Sequence, residues 1–213
     1  NRLVGAIQTD VNVSTPKVEI ARRMIRAIRP WIKVPVEQQV WHKAAHLVQD
    51  AHVVIGCLDG YQQRGYLEGA ARRYLLPYID IGMEVTRVGA NAFAVSGQMI
   101  MTRPGGPCLH CLGFLTPELL AREENRYGDA GVNPQVVWTN GMLASLAVGE
   151  LVKIATPWFP TQETYTWLEL DGNAQTVSSS QQPHYRLSTK ACPHYGGRDA
   201  LGDPFFTLAK VSK

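Results

Sequence analysis

The chain has 213 residues, of which 45% are hydrophobic and 18% are charged, and its formal net charge is +3. This length and apolar content are enough to bury the core of one α/β-sized domain. Because the basic residues are scattered and are not interleaved with aromatic ones, the sequence argues against a nucleic-acid-binding surface. Four cysteines in a chain of this length do not make a disulfide framework, which favours a reducing compartment and predicts a cytoplasmic protein.

The sequence also argues against a membrane protein. Its most apolar segment, 141–155, contains Glu150 and Lys153 and is shorter than the roughly 20 residues that span a bilayer. We predict a buried helix there. The chain starts at Asn1 without a charged and then apolar leader, so we expect no signal peptide, and the missing initiator methionine suggests a fragment or a processed product.

Helix and strand signals alternate along the chain. Thr15 can cap a helix that has Pro16 at its first position, and apolar residues recur at helical spacing until Arg29-Pro30 ends it. The further predicted elements are strands at 32–36 and 51–57, a helix at 61–75, strands within 74–82 and 92–101, the helix at 141–155, and two strands that meet at Asp171-Gly172. This alternation predicts an α/β fold of the doubly wound, Rossmann-like class, with helices on both faces of the sheet.

Two residues lie where such a fold binds ligands, at strand ends and helix starts. Asp59 follows the predicted strand that ends at Cys57, and a carboxylate there could hold magnesium beside a nucleotide. On position alone, the simpler interpretation is that Asp59-Gly60 is only a turn. Lys17 lies in the first turn of the first helix, where it could attract an anion, although a solvated surface lysine is the commoner situation.

Four segments together are more specific than any single residue. The chain contains, in order, "NRLVGAIQTDVNVSTPKVEIARR", "VVIGCLDGYQQR", "GQMIMTRPGGPCLHCLG" and "NGMLASLAVGELVKI". Their order and spacing resemble those of the ThiF/MoeB/ubiquitin-activating superfamily over roughly residues 1–170. The resemblance implies an adenylation domain over 1–170, followed at 171–213 by a C-terminal strand and a zinc-ligand tail. It also implies a homodimer or heterodimer that uses ATP and Mg²⁺ to adenylate the C-terminal glycine of a ubiquitin-like or sulfur-carrier protein.

The resemblance further implies roles for individual residues. Asn1 and Arg2 match the family's Asn-Arg motif, whose arginine often reaches across a dimer to the phosphates. Lys17 matches a phosphate-binding lysine, Asp59 matches the magnesium-associated aspartate, and Arg64 matches the arginine of the following helix. Arg2, Lys17 and Arg64 would then neutralise the charge that builds on the phosphates, and Asp59 would supply an oxygen ligand to Mg²⁺.

The sequence departs from the family pattern at the nucleotide loop. That Gly-rich loop belongs upstream of Asn1, and no Gly-x-Gly-x-x-Gly occurs in this chain, so we expect a preceding segment or another chain to supply it. Gly60 also stands where the family commonly has asparagine. These departures keep open a second hypothesis, a non-catalytic partner subunit that binds the same modifier and completes a dimer. The missing fingerprint argues against a Rossmann-type dehydrogenase.

Cys108 and Cys111 form a Cys-x-x-Cys pair in a turn rich in glycine and proline after a long predicted strand. That setting favours a zinc-binding turn over a redox pair on a thioredoxin-like unit. The family resemblance implies a second such pair near the C-terminus, of which this chain keeps Cys192 but has Tyr195 in place of the last cysteine.

The predicted zinc ligands are therefore three cysteines and a nearby histidine: Cys108, Cys111, Cys192 and His194. His110 or His184 could take the place of His194, and the alternative is a decayed site with reduced thiols. Cys57 could be a reactive thiol near the adenylate, but it ends an apolar strand, so we expect a buried, inert thiol. In the family that the chain resembles, thioester-forming members place their cysteine in the connection before the last large helix. No cysteine lies there in this chain, so we expect an acyl-adenylate but no thioester on that connection.

Overall fold

The computed structural model describes residues 4–126, 136–159, 163, 165–180 and 192, with the backbone alone at 124–126. The chain divides into two compact units, Asn1–His46 and Leu47–Lys213. The helices are α1 (Gln8–Asn12), α2 (Lys17–Ile28), α3 (His46–Gln49), α4 (Tyr61–Arg73), α5 (Pro117–Arg126) and α6 (Val137–Ala155), with a short 3₁₀ turn at Trp41–Ala44. The strands are β1 (Val54–Gly56), β2 (Tyr78–Arg87), β3 (Phe93–Thr102), β4 (Tyr165–Asp171) and β5 (Thr176–Ser179).

The first unit contains α1 and α2, which an ion pair joins. Arg23 of α2 binds Asp10 of α1 through two contacts, Nη1 to Oδ1 at 2.7 Å and Nη2 to Oδ2 at 2.6 Å. The backbone N–H of Ile7 donates to the same carboxylate at 2.8 Å. The hydrogen bonds from Arg23 and from Ile7 hold the pKa of Asp10 well below its usual value. Asp10 is therefore a charged group that the folded state stabilises.

The second unit is built on a five-stranded sheet in the order β1-β2-β3-β4-β5. β1 and β2 are parallel and are joined by α4, whereas the other three neighbouring pairs are antiparallel. Residues 88–92 alone join β2 to β3, and a parallel connection needs a dozen or more residues, so these two strands form a hairpin. In the described part of the chain, the doubly wound parallel arrangement that we predicted is therefore limited to β1-α4-β2.

Helices α4 and α6 cover opposite faces of this sheet. Successive residues of a strand point to opposite faces. Ile79 of β2 belongs to the buried apolar core together with Leu143 and Ala147 of α6, whereas the next residue, Asp80, forms an ion pair with Arg64 of α4. The prediction of helices on both faces is thus confirmed.

Most other elements follow the sequence pattern. The helices at 61–75 and 141–155 and the hairpin of β4 and β5 are confirmed, and α2 begins at Lys17 with Pro16 in the N-cap position, one residue later than predicted. The strand predicted at 32–36 is wrong, because those residues are not in the sheet and Pro35 removes a backbone donor that a central strand would need. Among the described residues, no helix is both long enough and apolar enough to cross a membrane.

Candidate functional site

Asp59 lies at the carboxyl edge of the parallel β1-α4-β2 unit. β1 ends at Gly56 and α4 starts at Tyr61, so Asp59 belongs to the short loop between them, where it is exposed. Arg64, one turn into α4, donates from Nε to the Leu58 carbonyl at 2.7 Å and fixes the backbone of this loop. The loop presents a carboxylate at the edge of the sheet where open α/β folds bind ligands.

The Arg64 guanidinium is held inside the protein by a set of polar partners. Its Nη1 lies 3.0 Å from Oδ2 of Asp80, and the two side chains are 7% and 0% exposed. The Tyr78 hydroxyl donates to Oδ1 of Asp80 at 2.9 Å. With its amide oriented to satisfy both groups, Gln98 accepts from Arg64 Nη1 at 2.8 Å and donates to the Gly82 carbonyl at 3.3 Å. Burial raises the pKa of Asp80, and the Arg64 charge partly offsets that effect.

The family resemblance implies that Arg64 neutralises phosphate charge, but in the structure its guanidinium already has partners within the protein. The guanidinium is directed at Asp80 and at the loop backbone, and it packs closely on Gly82, where an added Cβ would lie 2.2 Å from Nη2. Asp80 was not predicted from the sequence as the partner of Arg64. The available signal was a carboxylate within the otherwise apolar strand segment "YIDIG", since a buried charge needs a partner.

The other predicted phosphate-site residues lie in the first unit or outside the described residues. Lys17 is the first residue of α2, is exposed, and belongs to the first unit, whereas Asp59 and Arg64 belong to the second. Asn1 and Arg2 lie outside the described residues. Within the second unit, Asp59 and Arg64 lie on one loop and the helix that follows it.

A cavity of about 500 Å³ opens over β3, β4 and β5, and its lining includes Ser96, Gln98, Phe114, Trp167 and Glu169. The Phe114 ring lies 5.7 Å from the Tyr61 ring and 6.0 Å from the Trp167 ring, measured between centroids. The Arg64 guanidinium lies 5.4 Å from the Tyr61 ring and 5.9 Å from the Phe114 ring. An aromatic wall therefore runs from the start of α4, beside the Asp59 loop, to the cavity.

Three cysteines come together in a second cluster. The Cys108 sulfur lies 3.5 Å from that of Cys111 and 3.3 Å from that of Cys192, and all three sulfurs lie within 4.8 Å of one another. The Cys111 N–H donates to the Cys108 sulfur at 3.4 Å. In a tetrahedral site with Zn–S distances of about 2.3 Å, two sulfurs are about 3.8 Å apart, so the observed separations fit three corners of a zinc shell.

The Cys108 thiol is protonated in the metal-free cluster. Burial, with a smaller contribution from the charge of Glu68, raises the pKa of this thiol, so a bound metal ion would have to displace its proton. His194 and His184 lie outside the described residues. His110 is described, but its ring nitrogens do not belong to the cluster of mutually close ligand atoms. Its Nε2 lies beside α4, 3.6 Å from where a Cβ on Gly65 would stand.

Two charged residues of α4 fasten the segment that carries Cys108 and Cys111. Glu68 is fully buried and accepts from the Leu109 N–H at 3.0 and 3.2 Å and from the Thr102 hydroxyl at 2.8 Å. Arg72, which pairs with Glu68 at 3.2 Å, donates to carbonyl oxygens of the preceding turn. Helix α4 therefore holds the turn that carries Cys108 and Cys111, and this contact was not predicted from the sequence.

Cys57 is exposed, and the expectation that it is buried is wrong. The strand ends one residue earlier, at Gly56, so Cys57 lies in the loop before Asp59. Its surroundings nevertheless raise the pKa of the thiol, first by displacing water and then through the charge of Asp80. A thiol in this state forms the reactive thiolate less readily than an ordinary one.

The profile of the ThiF family matches residues 1–193. Over 114 residues, the chain is 31% identical to the SAMP-activating enzyme E1 of Haloferax volcanii, a match that covers 53% of this chain and 39% of the relative. In fold it resembles E. coli MccB solved with ATP, at a TM-score of 0.63 and 14% identity over 89% of this chain and 53% of that one.

A second MccB structure, with AMPCPP and selenomethionine MccA, matches at a TM-score of 0.58 and 14% identity, over 86% of this chain and 53% of that one. The chain thus spans about two fifths of its curated relative and about half of the MccB chains. Because the family profile covers most of the sequence in addition to the shared fold, the chain belongs to the ThiF family.

Proposed function

We propose that the chain is part of a cytoplasmic enzyme that uses ATP to adenylate the C-terminal glycine of a ubiquitin-like or sulfur-carrier protein. The observation that carries this proposal is the exposed Asp59 at the carboxyl edge of β1, on a loop that Arg64 fixes. Two relatives support the reaction class, since one is named a SAMP-activating enzyme and the other was solved with ATP.

The reaction needs charge neutralisation more than proton transfer. A C-terminal carboxylate is already ionised at neutral pH. Its oxygen forms a bond to the α-phosphorus of ATP, the bond from that phosphorus to the bridging oxygen breaks, and pyrophosphate leaves with the electron pair. In this proposal Lys17 and Arg2 would supply positive charge to the phosphates, and Asp59 would hold a Mg²⁺ ion that would screen the negative charge of the reacting groups.

We assign Arg64 a positioning role within this site. Its guanidinium is 7% exposed and paired with Asp80, so its charge is already compensated inside the protein. Its bond to the Leu58 carbonyl holds the residue next to Asp59. Arg64 therefore orients the Mg²⁺ ligand rather than contacting the phosphates.

The cavity over β3, β4 and β5 is the proposed binding site for the tail of the modifier. It has room for an extended peptide segment, and the aromatic wall of Tyr61, Phe114 and Trp167 links it to the Asp59 loop. A tail bound there would place its terminal carboxylate at the edge where Asp59 lies. We further propose a dimer in which Arg2 of one subunit completes the phosphate site of the other.

The cysteine cluster is the proposed structural zinc site. Cys108, Cys111 and Cys192 would supply three thiolates and His194 the fourth ligand. Since a structural site of this kind has no open position, its metal would stabilise the fold and take no part in the chemistry.

ATP–pyrophosphate exchange by the full-length protein tests the proposal, with and without candidate modifiers that end in Gly-Gly. We expect exchange that depends on the modifier, and a loss of about 100-fold or more in Asp59→Ala. Asp50→Ala is the matched control, because Asp50 is an exposed aspartate at the amino end of β1. Equal exchange rates in the wild type and in Asp59→Ala would contradict the assignment. Tight binding of a modifier without any exchange would indicate a non-catalytic partner subunit.

A further inference from the structure

Helix α4 starts without a capping side chain of its own. Its N-cap residue is Gly60, and the first N–H groups of a helix have no partner within the helix. Two of these groups, of Tyr61 and Gln62, donate to the two carboxylate oxygens of Glu123, each at 2.9 Å. The cap of α4 is therefore supplied by α5, from a residue 62 positions away from Tyr61.

Gly60 and Glu123 are matched in space. A Cβ added to Gly60 would lie 2.8 Å from Oε1 of Glu123, so a side chain at position 60 would displace the carboxylate. The absence of that side chain makes room for the carboxylate. The partial positive charge of a helix start favours a negative group at this place.

We propose that Glu123 is a positioning residue for the adenylation reaction, an inference that rests on the proposed function. The loop that carries Asp59 is held on two sides. Arg64 binds the Leu58 carbonyl before Asp59, and Glu123 binds the N–H groups of Tyr61 and Gln62 after it. The second anchor also ties α5, in the connection before α6, to the same edge of the sheet.

The cap also determines which groups at the start of α4 can bind the phosphates of ATP. The N–H groups at the start of α4 would otherwise be available to bind an anion. Because Glu123 occupies two of them, the N–H groups of Tyr61 and Gln62 are not available to the phosphates of ATP, so the proposed phosphate contacts come from side chains.

Hydrogen exchange of the full-length protein tests the cap directly. In Glu123→Ala, the peptide that contains Tyr61 and Gln62 should exchange roughly 2- to 30-fold faster, the range that corresponds to the loss of a helix cap. The control Glu118→Ala removes an exposed acidic side chain from the same helix and should leave that peptide unchanged. Unchanged hydrogen exchange of the peptide in Glu123→Ala would overturn the inference.

A rescue variant separates positioning from a general loss of structure. Asparagine at an N-cap binds the exposed N–H groups locally, so Gly60→Asn added to Glu123→Ala should restore the protection of this peptide. The Mg²⁺ concentration that gives half-maximal ATP–pyrophosphate exchange should rise in Glu123→Ala and return towards the wild-type value in the double variant.

Failure of the positioning role and failure of the proposed function give different results. Restored protection with an uncorrected Mg²⁺ dependence would show that Glu123 does not act through the Asp59 loop, and would overturn the positioning role. A wild-type protein without pyrophosphate exchange would refute the proposed function, while hydrogen exchange would still decide whether Glu123 caps α4. Thermal unfolding of each variant confirms that it is folded.

Discussion

Replacement of Arg64 by methionine should destabilise the second unit, and the loss should depend on pH. The variant leaves Asp80, which is 0% exposed, without its cation and without the Arg64 hydrogen bond of 3.0 Å. Removal of one partner of a buried ion pair costs about 3–5 kcal/mol. At 2–4 °C per kcal/mol for a chain of this size, Tm should fall by about 6–20 °C at neutral pH.

The sign of the pH dependence follows from Asp80. Its pKa is already raised in the folded protein, and Arg64 is the charge that lowers it, so Arg64→Met should raise it further. A group whose folded pKa is raised stabilises the protein below its unfolded pKa, and that contribution is lost as pH rises through the folded pKa. The destabilisation should therefore be smaller at about pH 4, close to the usual pKa of aspartate, than at about pH 7.5.

Urea unfolding of the wild type, Arg64→Met and the double variant Arg64→Met/Asp80→Asn checks this reasoning. The double variant removes both charges and should recover part of the lost stability at neutral pH. Arg122→Met, at an exposed position of α5, is the control and should change stability by less than about 0.5 kcal/mol. A cost below about 1 kcal/mol for Arg64→Met, or a double variant no more stable than the single one, would refute the account of this pair.

Freshly purified protein should contain about one zinc ion per chain, and less than about a tenth of an equivalent of zinc would contradict the site. Both a chelator and the variant Cys108→Ser should lower Tm. The stability of the first unit should fall in acid, because the pKa of Asp10 is lowered in the folded state, so its contribution is present above about pH 4 and is lost as pH drops below that value. Asp10→Asn should flatten this acid limb in a pH series of thermal unfolding, and an unchanged limb would exclude Asp10 as its cause. The reaction should give an adenylate without a thioester; a covalent adduct that reducing agent removes and Cys57→Ala abolishes would identify Cys57 as catalytic.

Local patterns predicted the elements of this fold better than their pairing. The helical spacing at 61–75 and the turn at Asp171-Gly172 are short-range signals, and both are confirmed. The hairpin of β2 and β3 depends on the length of the connection at 88–92, which an alternation of strand and helix signals does not reveal. The strand predicted at 32–36 is absent, and Ile32 is 43% exposed.

The candidate site shows the same limit. The place of Asp59 in the loop after β1 could be predicted, because a strand end and a family motif coincide there, whereas its role as a Mg²⁺ ligand stays a prediction. The partner of Arg64 lies 16 residues away, and the cap of α4 comes from Glu123, 62 residues away from Tyr61. Such contacts are created by packing between elements, and residue spacing along the chain does not encode them. Cys108 and Cys111 were visible as a local pair, whereas Cys192 could be assigned only from the family resemblance.

The intact mass of a candidate carrier protein ending in Gly-Gly, after incubation with the full-length protein, ATP and Mg²⁺, decides whether this chain belongs to an adenylating enzyme. We expect the carrier to gain the mass of AMP and hydroxylamine to remove the adduct. A carrier with an amidated C-terminus should gain nothing, because it lacks the attacking carboxylate. A carrier that binds the protein tightly but remains unmodified would contradict the assignment of this chain to an adenylating enzyme.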